Sequence, residues 1–305
     1  MKAAKSLIVI TWDGVSKPLE YVLQDVERNF DLLIFDHSAK ASKELVAHLN
    51  PTFYVSTRTE NKGQVFYEVY KYLYPNNEER YEYIGVIDDD IYTSYSDLNK
   101  LIFIGQINHL DVFQPSITQD SYHDHQRFIH KAGIQIHETN WVEIMCPFYK
   151  EEIFKAISPY CKFTISGQGI DIYLIPCLQK ILQLNKTAVI HAIQIKHCRP
   201  IQSGNKIYSN GKNNLEEIIK IAKSKNIKII IAGMIAPTSY GFEYKKSFDK
   251  IFSDLSKKYQ LQLIPFLLEG VAQKPEFNLS DGMHPNDQGT IIISNTLKEA
   301  ILKNL

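Results

Sequence analysis

Two kinds of hydrophobic spacing alternate along the chain. Short runs rich in apolar residues occur at 6–12, 31–35, 53–56, 83–87, 112–115, 141–147 and 188–195, and they read as strands, 141–147 with an acid, Glu143, among its apolar neighbours. Between them, apolar residues recur every three or four positions, the spacing of one helix face. Leu19, Val22, Leu23, Val26 and Phe30 predict a helix after Pro18, and residues 41–49 predict another. Val65, Phe66, Val69, Tyr70 and Leu73 predict a helix after Lys62-Gly63, and Leu98, Leu101 and Ile102 one capped by Ser96. Further helices are expected over 150–157 and from Asp171 onward through Leu174, Leu178 and Ile181. Strand and helix in turn predict an α/β fold with a mostly parallel, Rossmann-like sheet and helices on both faces.

The pattern breaks at 202–214, where Ser, Gly, Asn and Lys replace apolar residues. Such a stretch marks a boundary, so two parts are expected, 1–210 and 211–305. The second part predicts helix at 215–222, with an Asn213…Glu216 capping box, strand at 227–232, helix at 244–259, strand at 261–266 and a closing helix from Gly289.

Composition narrows the partners. Of 305 residues, 44% are hydrophobic and 22% charged, which is ordinary for a globular core. Lys and Arg number 34, as do Asp and Glu, so the net charge gives no reason to invoke nucleic acid or an anionic membrane. The four cysteines form no C-x-x-C pair, and neither a zinc site nor a disulfide framework is indicated. The apolar run Leu7-Ile8-Val9-Ile10 is too short for a signal peptide or membrane span, so a cytoplasmic location is expected.

The candidate chemistry centres on Tyr83-Ile84-Gly85-Val86-Ile87-Asp88-Asp89-Asp90, a buried strand ending in three carboxylates. Charges near a low-dielectric interior persist when paired or metal-bound. In open α/β sheets, ligands collect outside the carboxyl ends of the strands. Asp88, Asp89 and Asp90 are therefore candidate ligands for a divalent cation; the competing reading is a helix cap with solvated charges. Lys62, Gly63 and Asp88 are the candidate cofactor-binding residues. His123, His125, His130 and His137 crowd a polar stretch that reads as a surface loop or lid, with metal ligation as the alternative.

Residues 1–210 resemble a family of poorly characterised glycosyltransferase-like proteins of plants and bacteria. The acid-ended strand, Trp141-Val142-Glu143-Ile144-Met145-Cys146-Pro147, Gly169-Ile170-Asp171 and a late strand ending near His197 carry the resemblance, in that order. It implies a GT-A-like nucleotide-sugar fold in which a D-x-D-type motif, here Asp88 to Asp90, holds Mn²⁺ or Mg²⁺ against the donor diphosphate. Asp171 or Glu143 would then be the base for an acceptor hydroxyl, and His197 would complete the metal shell or contact phosphate. Alternatives from the residues alone are an ion-paired Glu143, a helix-capping Asp171 and a hydrogen-bonded interior His197.

Residues 211–305 resemble the closing half of a TesA-like SGNH hydrolase, of arylesterase, thioesterase or lysophospholipase type. Ile231-Ala232-Gly233-Met234-Ile235-Ala236-Pro237, Ile264-Pro265-Phe266-Leu267-Leu268-Glu269-Gly270-Val271 and Asp281-Gly282-Met283-His284-Pro285 carry this likeness. Asp281 and His284 would be the acid and base of a hydrolase dyad, yet no G-D-S serine block occurs anywhere in the chain. The sequence therefore predicts a chimera of a transferase-like domain and a truncated hydrolase segment, the latter open to self-association. The leading expectation is a metal-dependent transferase with a nucleotide-sugar donor. The alternatives are an esterase and a catalytically silent binding protein.

Overall fold

The structure, a computed structural model, describes residues 5–76, 80–123, 125–162, 164, 167, 169–199, 214–236, 242–279 and 284–303. The chain divides into two compact units, Met1–Gln202 and Ser203–Leu305.

The first unit is built on a ten-stranded mixed sheet. Its strands are β1 (Leu7–Trp12), β2 (Val22–Leu23), β3 (Asp31–Asp36), β4 (Phe53–Ser56), β5 (Tyr83–Ile87), β6 (Ile91–Ser94), β7 (Val112–Ile117), β8 (Ile136–Glu138), β9 (Phe148–Lys150) and β10 (Thr187–His197). The spatial order is β2-β6-β10-β7-β9-β5-β1-β3-β4, with β8 pairing separately to β10. The helices are α1 (Lys62–Leu73), α2 (Tyr95–Ile107), α3 (Glu151–Cys161) and α4 (Ile175–Leu182).

Unbroken apolar strands follow from cover on both faces. In β1, Leu7 and Val9 join one core with Phe66 of α1, Phe154 of α3 and Ile175 of α4. Ile8 and Ile10 point the other way, into a core shared with Leu98 and Leu101 of α2. Each such buried side chain contributes about 1.5–3 kcal/mol.

Topology then places a cleft. β1 pairs in parallel with β3 on one side and β5 on the other. The chain leaves β1 toward β3 and leaves β5, through β6 and α2, toward β7. Adjacent parallel strands whose connections diverge leave a crevice at their carboxyl ends. Here those ends are Trp12-Asp13 and Ile87-Asp88.

Three sequence expectations change. Residues 18–30 are turns and the short β2, not a helix: Leu19 sits at φ +54°, and Leu23 and Val26 are exposed, so the periodic residues never form one buried face. Residues 141–147 are irregular rather than a strand. Trp141, Val142, Glu143, Met145 and Cys146 are all buried without alternation. This stretch instead backs the end of β5, with Val86 N–H donating to Pro147 O and Asp88 N–H to Met145 O, both at 3.0 Å. The strand proper is β9, antiparallel between β5 and β7, which makes the sheet mixed. The cap of α2 is Ser94, whose hydroxyl accepts from Asp97 N–H at 3.0 Å; Ser96 lies inside the helix.

The second unit contains α5 (Asn214–Ser224), β11 (Ile230–Ala232), α6 (Phe242–Tyr259), β12 (Gln262–Ile264) and α7 (Asp287–Leu302). β11 and β12 pair in parallel, with Ile231 opposite Leu263, around a small core of Ile219, Ile231 and Leu255. α7 begins two residues before Gly289, because Asn286 caps it by accepting from Gly289 N–H at 3.0 Å. Asn213 lies outside the described residues, and Glu216 binds Lys258 Nζ at 2.7 Å and the Tyr259 hydroxyl at 2.5 Å.

Candidate active site

The three acids that end β5 each meet a different cation. Asp88 Oδ1 lies 2.8 Å from Lys62 Nζ. Lys62 also donates to Met145 O at 2.9 Å. It is delivered by the first turn of α1, which Asn61 caps by accepting from Gln64 N–H at 3.1 Å. Asp89 Oδ2 lies 3.2 Å from Arg199 Nη1, and Arg199 also sits 5.7 Å above the ring of Tyr21. Asp90 Oδ2 lies 3.2 Å from His197 Nε2.

Sheet register makes the last two pairs. β10 pairs antiparallel with β6 so that His197 stands opposite Ile91, and Cys198 N–H donates to Asp90 O at 2.9 Å. His197 Nδ1–H donates to Tyr122 O at 2.8 Å, which turns Nε2 toward Asp90.

Burial and pairing compete at each acid. Burial pushes Asp88 above the usual carboxylate range, against the opposing charge and hydrogen bond of Lys62. Burial does the same to Asp89 despite Arg199. At Asp90 burial also raises the pKa, but the hydrogen bond and charge of His197 outweigh it and the net shift is down. His197 is lowered by burial yet ends above its ordinary value, because Asp90 stabilises the imidazolium.

The two base candidates lie on segments outside the sheet, Glu143 between β8 and β9 and Asp171 after α3. Gly169, at φ +81°, allows the turn into a π-helical segment, Ile170–Leu174, that presents Asp171. The Asp171 carboxylate accepts from Ile172 N–H at 2.9 Å and also from Ile144 N–H. Asp171 and Glu143 therefore lie on two segments joined by the bond from the Ile144 amide to the Asp171 carboxylate. Burial raises the Asp171 pKa against these hydrogen bonds and the nearby charge of His125. Glu143 is buried, and its N–H donates to Gln114 Oε1 at 2.6 Å.

Gly63 lies against the segment that leads to Asp171. A Cβ there would come within 2.5 Å of Thr164 Oγ1 and 2.7 Å of Ile170 Cδ1, so glycine lets the start of α1 rest against the segment leading to Asp171.

Sequence reasoning missed Arg199, Asp13 and His37. Asp13, just past β1, accepts from Val15 N–H at 2.9 Å, Ser16 N–H at 2.8 Å and Ser16 Oγ at 2.7 Å. Burial raises its pKa, but these bonds and the charge of Arg199 bring it below the usual range. His37, just past β3, adds positive charge near Asp89. The available signal was position: polar residues directly after β1, β3 and β10 belong to the same sheet edge.

The loop histidines separate. His125 packs edge-on to Trp141 with centroids 4.9 Å apart, His123 bonds to Ser121 O, and His130 and His137 gather around His191. Among the described residues, no group of three or more His, Cys, Asp or Glu side chains is arranged to hold a metal ion.

Of the hydrolase-like dyad, Asp281 lies outside the described residues. His284 is exposed, and its carbonyl accepts from Leu279 N–H at 2.7 Å. Among the described residues, no helix is long and apolar enough to cross a membrane.

No known protein-family profile matches the chain. An arylesterase of Vibrio mimicus is 31% identical over 93 residues, which are 30% of this chain and 46% of that protein. Thioesterase 1/protease 1/lysophospholipase L1 of Escherichia coli K12 is 32% identical over 75 residues, 25% of this chain and 36% of that protein. A crystal structure of S. aureus TarS 1-349 in complex with UDP-GlcNAc is 12% identical, with a TM-score of 0.46 over 99% of this chain and 82% of that one. The chain spans less than half the length of the curated esterases it matches, and its C-terminal third resembles the TesA-like SGNH hydrolases.

Proposed function

We propose that the first unit transfers a sugar from a nucleotide-diphosphate donor to an acceptor hydroxyl, in the cleft where β1 and β5 end. One observation carries this reading: three carboxylates at a topological switch point, each beside its own cation, Lys62, Arg199 or His197. In such a transfer the bond from the anomeric carbon to the diphosphate oxygen breaks, and a bond to the acceptor oxygen forms. Negative charge grows on the leaving diphosphate, and Lys62 and Arg199 can each exchange a carboxylate for a phosphate oxygen. Asp171 or Glu143 takes the acceptor proton. The upward shift at Asp171 suits a base that must work near neutral pH.

The donor set fits Mn²⁺ or Mg²⁺ shared with a diphosphate. Asp90 and His197 offer an oxygen and an imidazole nitrogen 3.2 Å apart, and the hydrogen bond to Tyr122 O orients the ring. A cation of this kind takes one or two carboxylates from the protein and the rest from phosphate oxygens. Asp88 and Asp89 would offer further oxygens to the cation if Lys62 and Arg199 paired with the donor instead. When bound, the cation would neutralise charge on the leaving group.

Thermal unfolding of the full chain with saturating nucleoside diphosphate and Mn²⁺ tests the reading. A higher Tm is expected for the natural protein and little change for Asp90→Asn. Unchanged Tm in both, or equal shifts in both, overturns it. A shift with no sugar transfer to any acceptor would make the protein a binder and not a transferase.

A second reading, ester hydrolysis, is favoured by the likeness of the C-terminal third to the arylesterase of Vibrio mimicus. It requires a serine nucleophile, because a dyad alone has nothing to activate. Labelling by a fluorophosphonate probe above a His284→Ala control would support it, and equal labelling would remove it.

A further inference from the structure

We propose that His137 and His191 form a proton-sensitive clasp that ties β8 to β10 at neutral pH and lets go in acid. The clasp stands apart from the transferase reading. β8 pairs antiparallel with β10 through Glu138 opposite Ala188, His137 opposite Val189 and Ile136 opposite Ile190. Gln135 O accepts from His191 N–H at 2.7 Å and Ala192 N–H at 3.1 Å. His191 itself is only 2% exposed.

The hydrogen bonds fix the protons. Lys131 N–H donates to His191 Nδ1 at 3.1 Å. An amide can only donate, so this nitrogen carries no proton and neutral His191 holds its proton on Nε2. His191 Nε2 lies 2.7 Å from His137 Nδ1, which must therefore accept. The two rings stack with centroids 4.9 Å apart and planes 20° from parallel. A proton added to His191 Nδ1 would face the Lys131 N–H, and one added to His137 Nδ1 would face the Nε2–H. The Lys131 bond thus requires a neutral His191, and the ring-to-ring bond an unprotonated His137 Nδ1.

The surroundings oppose any added charge. The stretch before β8 presents Arg127, His130 and Lys131 to the pair. β7 presents Ser116, whose hydroxyl donates to Ile193 O at 3.0 Å and leaves its oxygen to accept from His130 Nδ1 at 3.4 Å. Glu138 is the next residue along β8; it is exposed, and strand alternation directs it to the other face. Burial first, and these positive neighbours second, press the His191 pKa down to about 4 and lower that of His137. Further along the same stretch, Ile144 N–H holds Asp171, and Met145 O holds Lys62 and Asp88 N–H.

Hydrogen exchange on the full chain between pH 7 and pH 5, expressed as protection against intrinsic rates, tests the clasp. With the His191 pKa moving from 6.5 to about 4 on closing, the opening constant for Gln135–Glu138, His191 and Ala192 should rise about 20-fold, while β1 amides stay protected. Unchanged protection of β8, or a His191 ring signal titrating near 6.5 by NMR, overturns the proposal. His137→Phe keeps a stacked ring without the acceptor and should show weaker protection of β8, with a pH dependence that persists because His191 stays buried against the Lys131 N–H. Should that variant not fold, the pH profile of the natural protein decides alone.

Discussion

Lys62 and Asp88 offer a direct measurement of how strongly the acid cluster depends on its cations. Lys62→Met removes the charge while keeping most of the alkyl stem. Asp88 would then sit beside Asp90 without its nearest counter-charge, and Met145 O would lose a donor. Two unit charges 2.8 Å apart at an effective dielectric of ~20 interact by ~6 kcal/mol, which is a ceiling. The Asp88 side chain is 32% exposed and that of Lys62 10%, so solvent screening and the cost of desolvation reduce it. We expect Lys62→Met to cost ~3 kcal/mol and Asp88→Asn ~1 kcal/mol, because an amide oxygen still accepts from Lys62. The double variant should cost only ~2 kcal/mol, a coupling of ~2 kcal/mol. Urea unfolding followed by tryptophan fluorescence reads this cleanly, since the two tryptophans, Trp12 and Trp141, both belong to the first unit. Additivity of the single variants to within ~0.5 kcal/mol would refute the pairing as an energetic feature.

The Asp90–His197 pair should act in a bounded pH window. The raised His197 pKa gives stability that is complete below the unfolded value of 6.5 and is lost as pH rises through the folded value. The lowered Asp90 pKa gives stability present above 3.8 and lost as pH falls through its folded value. The stability difference between the natural protein and His197→Gln should therefore peak between these limits in denaturation at stepped pH; a flat difference would contradict it. Gly85→Ala should destabilise the first unit by about 1–3 kcal/mol in the same urea assay, because its Cβ would meet the Phe148 ring at 2.6–2.9 Å; a neutral effect would show that the ring yields. Cys177 is exposed, whereas burial lifts the buried Cys146 and Cys161 to about 12. Mass spectrometry after brief alkylation should find Cys177 modified and those two intact.

The α/β architecture and the buried strands were legible from spacing alone, because a strand covered on both faces is apolar at nearly every position, as β1, with Thr11 its one hydroxyl, and β5 are. The acid trio was legible for the same reason: three carboxylates ending such a run stand out in one dimension. Residues 18–30 and 141–147 misled, since their apolar spacing arises from irregular backbone that buries side chains one at a time. What the trio faces was decided only in three dimensions. Arg199 meets Asp89 across 110 positions, and the register of β10 against β6 brings His197 to Asp90. The antiparallel insertion of β9 draws residues 144 and 145 to Asp171, Lys62 and the end of β5. Local sequence pattern records which face a residue presents, whereas the identity of its neighbour depends on strand order and register, which arise from pairing between distant segments.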